Sequence, residues 1–229
     1  MNNYSDQTLG EIVIQQHKAA ALFEKYNLDF CCKGKRSLAA ACGEKGIAVD
    51  IIADELASLA IGTEKETSFE EMTAAALISH ILRQHHHYVK QFGPTIKEHL
   101  DRVAGKHGDK FPWMKDVAQY YTAVLDDLIQ HMQKEEVVLF PRIERMESSE
   151  KGTYPVNLVA APIGVMEAEH EAAGNIMQHI RDLTENYSWP EAACTTYRVS
   201  MLELKEFEEN LHQHVHLENN ILFPKALTL

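Results

Sequence analysis

A twelve-residue pattern occurs twice in this chain, and it narrows what the chain can fold into more than any other feature. His131 to Arg142 reads HMQKEEVVLFPR, and His214 to Lys225 reads HVHLENNILFPK. Each copy has a histidine, a glutamate four residues on, then a hydrophobe and Leu-Phe-Pro-base. Each copy also continues a helical apolar stripe. Tyr121, Val124 and Leu128 step by three and four to His131, Glu135 and Val138, and Phe207 and Leu211 step to His214 and Glu218. Residues i and i+4 share a helix face, so both His–Glu pairs are predicted to point into a core. An uncompensated buried carboxylate costs several kcal/mol or more, and a cation held between helices is the simplest compensation.

The rest of the chain supports a helical context. No alternating β-branched run bounded by turn residues is present, and a 3.6-residue period recurs throughout. The fold class expected is all-α. A small helical N-terminal domain is read over residues 1–62, and the polar stretch Ile61–Ser68 reads as a linker. An antiparallel four-helix bundle is read over residues 69–229. Its first helix is expected to start at Ser68, capped with Glu71, and to run to about His107 with a kink at Pro94. The second spans about Pro112 to Met146, bent or ended early by Pro141. The third spans Pro162 to Asn186. The fourth opens with Ser188 capping against Glu191 and ends near Phe223.

The other two bundle helices supply further ligands. Ile78 and Leu82 step to His86 and Val89, and Met166 steps to His170 and Ala173. His86 and His170 are 84 residues apart, and His131 and His214 are 83 apart. The bundle thus reads as two similar helix pairs, each giving one His and one His-x3-Glu. One histidine on an apolar face is ordinarily a satisfied core residue, and one His-x3-Glu is ordinarily a surface ion pair. Six such residues on inward stripes, related by a repeat, favour a dinuclear metal site. Four imidazoles and two carboxylates without thiolate suit iron, or manganese, over structural zinc. His85, His87, His212 and His216 turn away from their neighbours on the wheel and are read as flanking or surface residues. Glu167 and Glu169, beside His170, are candidates to line an access path, and His107 reads as a cap or loop residue.

Composition excludes several other roles. The formal net charge is −12 with no basic run, which argues against nucleic acid. No apolar stretch approaches the roughly 20 residues of a membrane span, and the first residues lack a signal-peptide pattern. With only four cysteines, two of them adjacent, a reducing compartment and hence the cytoplasm is expected.

With these residues in place, the bundle resembles the hemerythrin-like domains. The whole chain is similar to the repair-of-iron-centres (RIC) di-iron proteins. LGEIV and ALFEKYNLDFCCKGKRSLAAAC resemble that family's small N-terminal domain, and VMEAEHEAAG, EAACTTY and HLENNILFPKAL resemble its second half. The resemblance implies two irons, oxo- and carboxylate-bridged, held by His86, His131, His170 and His214, with Glu135 and Glu218 bridging. It implies repair of iron–sulfur clusters damaged by nitric oxide or oxidants through iron donation, with damaged iron–sulfur proteins as partners. Alternatives within the same fold are a redox enzyme reducing nitric oxide or peroxide and a hemerythrin-type oxygen binder or sensor; the N-terminal cysteine domain counts against the last. Lys33 follows the cysteine pair where the family often has glycine. With two lysines nearby, Cys31 and Cys32 are expected to form thiolate readily and to serve a redox or iron-handling role. The other reading of the pair is packing at a helix end. Cys42 and Cys194 are read as structural, and two chains could pair as a homodimer through the N-terminal domain.

Overall fold

The computed structural model describes residues 4–59 and 69–229, and within these the regular structure is helical apart from an isolated bridge between Thr8 and Ser37. The expected linker at 61–68 and the proposed cap Ser68 lie outside the described residues.

Four short helices come first: α1 Leu9–Gln15, α2 Ala19–Lys25, α3 Leu38–Lys45 and α4 Val49–Leu59. Local chemistry sets their starts. Thr8 and Glu11 form a reciprocal capping box on α1, and the Ser37 hydroxyl accepts from the Ala40 amide at the start of α3. Gly46, at φ +67°, closes α3 in the left-handed conformation that a side chain would disfavour.

The bundle follows. Its first helix comprises α5 Ala74–Ile81, a π-helical turn Leu82–His86 and α6 His87–His107. The second comprises α7 Trp113–Lys134, a π turn Glu135–Leu139 and α8 Phe140–Glu147. The third is α9 Asn157–Leu183. The fourth comprises α10 Thr195–Leu217, a π turn Glu218–Leu222 and α11 Phe223–Ala226. α6 packs on α7, α7 on α9, α9 on α10, and α10 back on α6, closing the ring expected of an up-down bundle.

The helix limits differ from the expected ones in instructive ways. Thr73 caps the first helix through the Ala76 amide, and the Glu147 carboxylate at the end of the second helix accepts from the Ala74 and Ala75 amides at 2.6 and 2.9 Å. Negative charge there is also stabilised by the positive end of the helix dipole. The first helix runs on through Pro94, and its departure from α geometry lies earlier, at Leu82–His86. Pro141 does not end the second helix, because it falls in the first turn after a π bulge. The third helix begins before Pro162 and stops at Leu183, where Glu185, Asn186 and Tyr187 all take positive φ. Ser188 does not start the fourth helix. Its hydroxyl donates to the Thr184 carbonyl at the end of the third, and α10 starts at Thr195.

Among the described residues two apolar clusters form the core. One joins Leu9, Phe23, Phe30 and Leu38 of the N-terminal helices to Val89, Leu128, Met177 and Leu211 of the bundle. The other, at the opposite end, gathers Ile78, Phe140, Met166 and Phe223. Fully burying one such side chain stabilises by about 1.5–3 kcal/mol, so the clusters hold the four helices rigidly on both sides of a polar layer. The inward histidines and glutamates occupy that layer.

Candidate metal centre

All six residues expected as ligands meet in this layer. His86, His131, Glu135, His170, His214 and Glu218 are each buried to within a few per cent. They form two groups, His86, Glu135, His214 and Glu218, and His131, Glu135, His170 and Glu218. Within each group the candidate ligand atoms lie within 4.8 Å of one another. Both glutamates belong to both groups. Glu218 offers Oε1 at 3.0 Å from His214 Nε2 and Oε2 at 3.1 Å from His170 Nε2. Glu135 Oε2 lies 3.4 Å from His86 Nε2 and 3.3 Å from His131 Nε2. Each carboxylate therefore stands between the two groups, the placement that bridging two cations requires.

One feature of this pairing departs from the repeat as read in sequence. Each sequence half does contribute two histidines and a glutamate, but no half makes a cation position by itself. His86 Nε2 faces His214 Nε2 at 3.2 Å, and His131 Nε2 faces His170 Nε2 at 3.0 Å, each pair drawn from both halves. The antiparallel ring is the cause, since it sets the first helix beside the fourth and the second beside the third.

The donor set fits a metal. Both Glu135 oxygens are buried without a hydrogen-bond donor, as is Glu218 Oε2. Such groups are costly unless paired or metal-bound. Meanwhile Nδ1 of three histidines is engaged, leaving Nε2 free to ligate. The Nδ1–H groups of His86, His131 and His170 donate to Glu136 at 2.8 Å, Glu169 at 2.9 Å and Asn219 at 2.9 Å. Lys90 and Lys134 in turn hold Glu136 and Glu169. Carboxylates behind ligating imidazoles fix tautomer and orientation and raise basicity.

Electrostatics in the absence of a cation follow from the same contacts. Burial would lower His131, but Glu135, with Glu218 and Glu169, overrides it and raises the imidazole to about 9. His86 is raised too, the pull of Glu135, Glu218 and Glu136 exceeding the effect of burial. His214 is lowered by burial despite Glu218. Glu218 would be raised by burial, yet His214 and His170 hold it well below the usual carboxylate range. Without metal, the raised His131 imidazole thus offsets part of the buried negative charge.

Other histidines were partly misplaced by the helical wheel. His87 is exposed as expected, but His85 and His216 are buried. His85 stacks on the His214 ring at 5.7 Å, and His216 packs edge-on against Phe30. Burial lowers them to about 3 and about 4. His212 pairs with Glu24 of α2. For His216 the wheel failed because packing on the N-terminal segment gives the fourth bundle helix a second buried face, whereas His85 and His86 both turn inward within the π turn Leu82–His86. Of the access candidates, Glu169 backs His131, whereas Glu167 pairs at the surface with Lys35. The roles of Glu136 and Asn219 went unread, although each directly follows a motif glutamate.

The cysteine pair sits against this layer. Cys32 Sγ lies 3.5 Å from the His170 carbonyl, and the two sulfurs are 3.8 Å apart, both free. Asp29 Oδ1 accepts from the Cys31, Cys32 and Lys33 amides and from the Cys31 thiol, and its carboxylate groups with both sulfurs within 4.8 Å. The expected activation by lysine is not met at Cys31. The Cys32 sulfur, burial and Asp29 all push its thiol well up, while Lys33 and Lys35 point to solvent. A polar cleft bordered by Cys32, Lys33, Arg36, Glu171 and Gln178 opens beside the pair.

Comparison with known proteins agrees with this architecture. Residues 77–226 match the family described as the hemerythrin HHE cation binding domain, and residues 5–60 match a domain of unknown function, DUF542. The iron-sulfur cluster repair protein YtfE of Cronobacter sakazakii is 38% identical over 224 residues, covering 98% of this chain and 97% of the relative. YtfE proteins of Yersinia pseudotuberculosis (36% over 225 residues) and Escherichia coli O81 (38% over 224) each cover 98% of both chains. Among the described residues no helix is long and apolar enough to cross a membrane. With a buried His/Glu layer in its HHE region and similarity over nearly its whole length, this chain belongs to the hemerythrin HHE cation-binding family and, within it, to the YtfE-type iron–sulfur cluster repair proteins.

Proposed function

We propose that this protein repairs damaged iron–sulfur clusters in the cytoplasm by holding two irons in the His86, His131, His170, His214, Glu135 and Glu218 layer and giving iron up to the cluster. The observation that carries the reading is the sharing of Glu135 and Glu218 by two buried groups that contain only nitrogen and oxygen donors. Such donors hold ferrous iron more loosely than cluster thiolates and sulfide do, so transfer runs toward the cluster. The residues' own work is to present four Nε2 atoms, those of His86, His131 and His170 aimed by hydrogen bonds at Nδ1, and to neutralise the cations with two buried carboxylates. The proposal includes a two-part chain, 1–62 and 69–229, in which Cys31, Cys32 and Asp29 stand between the His170 backbone and the polar cleft and handle departing iron.

The test is transfer. Iron-loaded protein is incubated with a [4Fe–4S] enzyme inactivated by nitric oxide, and iron lost is compared with activity regained. Stoichiometric loss with recovery is expected, abolished in Glu135→Ala/Glu218→Ala and slowed in Cys31→Ser/Cys32→Ser. Recovery by the double glutamate variant equal to the parent's would overturn the donor reading. Two imidazoles and two shared carboxylates per ion leave coordination positions open, which favours nitric oxide reduction as the second reading. Sustained nitric oxide consumption with an electron donor and no iron loss would favour it.

A further inference from the structure

The repeat relates the two halves by a local two-fold that carries His86 onto His170, His131 onto His214, and Glu135 onto Glu218. The groups behind the histidines should then match in pairs. They do at one station: the residue after each motif glutamate accepts from Nδ1 of the lone histidine in its own half, Glu136 from His86 and Asn219 from His170. At the other station they do not. Glu169, the residue before His170, accepts from His131 Nδ1. The matching residue for His214 is the one before His86, and that is His85.

His85 cannot serve as Glu169 does. Its ring lies face to face with His214 at 5.7 Å and 5°, so no lone pair meets the in-plane Nδ1–H, and its own Nδ1 is engaged with Asn210 Oδ1 at 3.2 Å. His214 Nδ1 is buried with no hydrogen-bond partner. The asymmetry falls on one cation position. Between His131 and His170, both rings are oriented by a hydrogen bond at Nδ1. Between His86 and His214, only His86 is. An open groove walled by Ile78, Leu82, Lys90 and Pro141 also reaches His86, on the side of the less constrained position.

We propose, on the reading that the layer holds two ions, that the two positions are unequal, that the ion between His86 and His214 is the one released first, and that His85 is the positioning residue that sets the difference. Loss of a hydrogen bond behind a ligand lowers metal affinity by about 10–100-fold, and the two affinities should differ by that order.

Cobalt(II) titration of the metal-free full chain, followed by visible absorption and calorimetry, tests this. Two ions should bind the parent in resolved steps. Repulsion between dications would also split the steps, so reciprocal exchanges decide. His85→Glu supplies the missing carboxylate and should tighten the weak step by about tenfold or more, leaving the tight step in place. Glu169→His should weaken the tight step by about 10–100-fold and spare the weak one. Should His85→Glu fail to keep the parent's helical circular dichroism, the Glu169→His arm decides alone. A folded His85→Glu protein with an unchanged weak step, or a Glu169→His protein with both steps weakened alike, overturns the assignment of His85. Fewer than two ions in the parent overturns the two-ion reading itself.

Discussion

Metal loading should release protons, and the structure sets their minimum number. In the metal-free protein His131 is raised to about 9 by Glu135, Glu218 and Glu169 against the effect of burial, so at pH 7 it is almost wholly protonated. The nitrogen beside Glu135, Nε2, is the one a cation would take. Displacing that proton at pH 7 means working against roughly two pH units, or roughly 3 kcal/mol, which is about a hundredfold in affinity. His86 is raised as well, by Glu135, Glu218 and Glu136, which acts in the same direction. Binding two divalent ions should therefore release at least roughly one proton at pH 7, and overall affinity should fall by at least about tenfold per unit as pH drops from 8 to 6. Calorimetry in buffers of differing ionisation enthalpy counts the protons directly. A heat independent of the buffer, or an affinity flat across that range, would refute the account of how the buried carboxylates are balanced.

The same contacts set the stability of the chelated protein. His131 is raised above its unfolded value near 6.5, so its contribution is complete below 6.5 and is lost as pH climbs toward 9. His85 and His216 are lowered to about 3 and 4, and Glu218 lies well below its ordinary range. Their contributions are lost as pH falls, beginning near 6.5 for the histidines and near 4.5 for the glutamate. The metal-free protein should therefore be most heat-stable near pH 6.5.

Two further substitutions probe the frame around the site. Arg181, which donates to Glu208 at 2.9 and 2.7 Å and also to Asn27, is buried with its partner. Arg181→Met should cost about 3–5 kcal/mol by stranding the carboxylate, lowering the melting temperature by about 2–4 °C per kcal/mol. Arg181→Met/Glu208→Leu should recover most of that, and equal loss in both proteins would contradict the stranded-charge argument. A Cβ on Gly34 would clash with the Phe30 carbonyl and lie 2.9 Å from Asn220 Oδ1. Gly34→Ala should cost about 1–3 kcal/mol and free the loop that Asn220 ties down through the Phe30 and Cys31 carbonyls. Alkylation of Cys31, slow in the parent because the thiol is buried, should then speed up. An unchanged labelling rate would show that Asn220 does not hold the loop.

Much of the site was legible because a metal site writes itself onto helix faces. Leu128, His131 and Glu135, or Leu211, His214 and Glu218, fall on one stripe by spacing alone, and burial of those stripes brings the six residues together. The pairing across halves was not legible, since spacing says which face a residue occupies but not which helix lies opposite. Nor were the buried His85 and His216, because a wheel drawn for a regular α-helix with one buried face fails at the π turn that holds His85 and where other elements cover a second face at His216. Ser188 misled as a cap for a related reason: a hydroxyl at a helix–helix corner can serve either end, and the positive-φ residues 185–187 that decide the matter carry no glycine to announce them.

The repeated Leu-Phe-Pro tail carries information that spacing arguments pass over. Proline has no N–H, and in an α-helix its ring meets the carbonyl four residues back. Here the turn before each proline is π-helical, with the Phe140 amide bonded to the Glu135 carbonyl and the Phe223 amide to the Glu218 carbonyl. A turn closed over five residues sets neighbours closer in angle than an α turn does. Glu135 and Glu136 can then both face the polar layer, one toward the cation positions and the other toward His86 Nδ1, and Glu218 and Asn219 do the same for His170. The tail is thus the sequence mark of a bulge that delivers two functional residues in succession. The bulge at Leu82–His86 has no proline after it, and no mark of it stands in the sequence. It ends on His86, whose preceding residue is the one that breaks the two-fold.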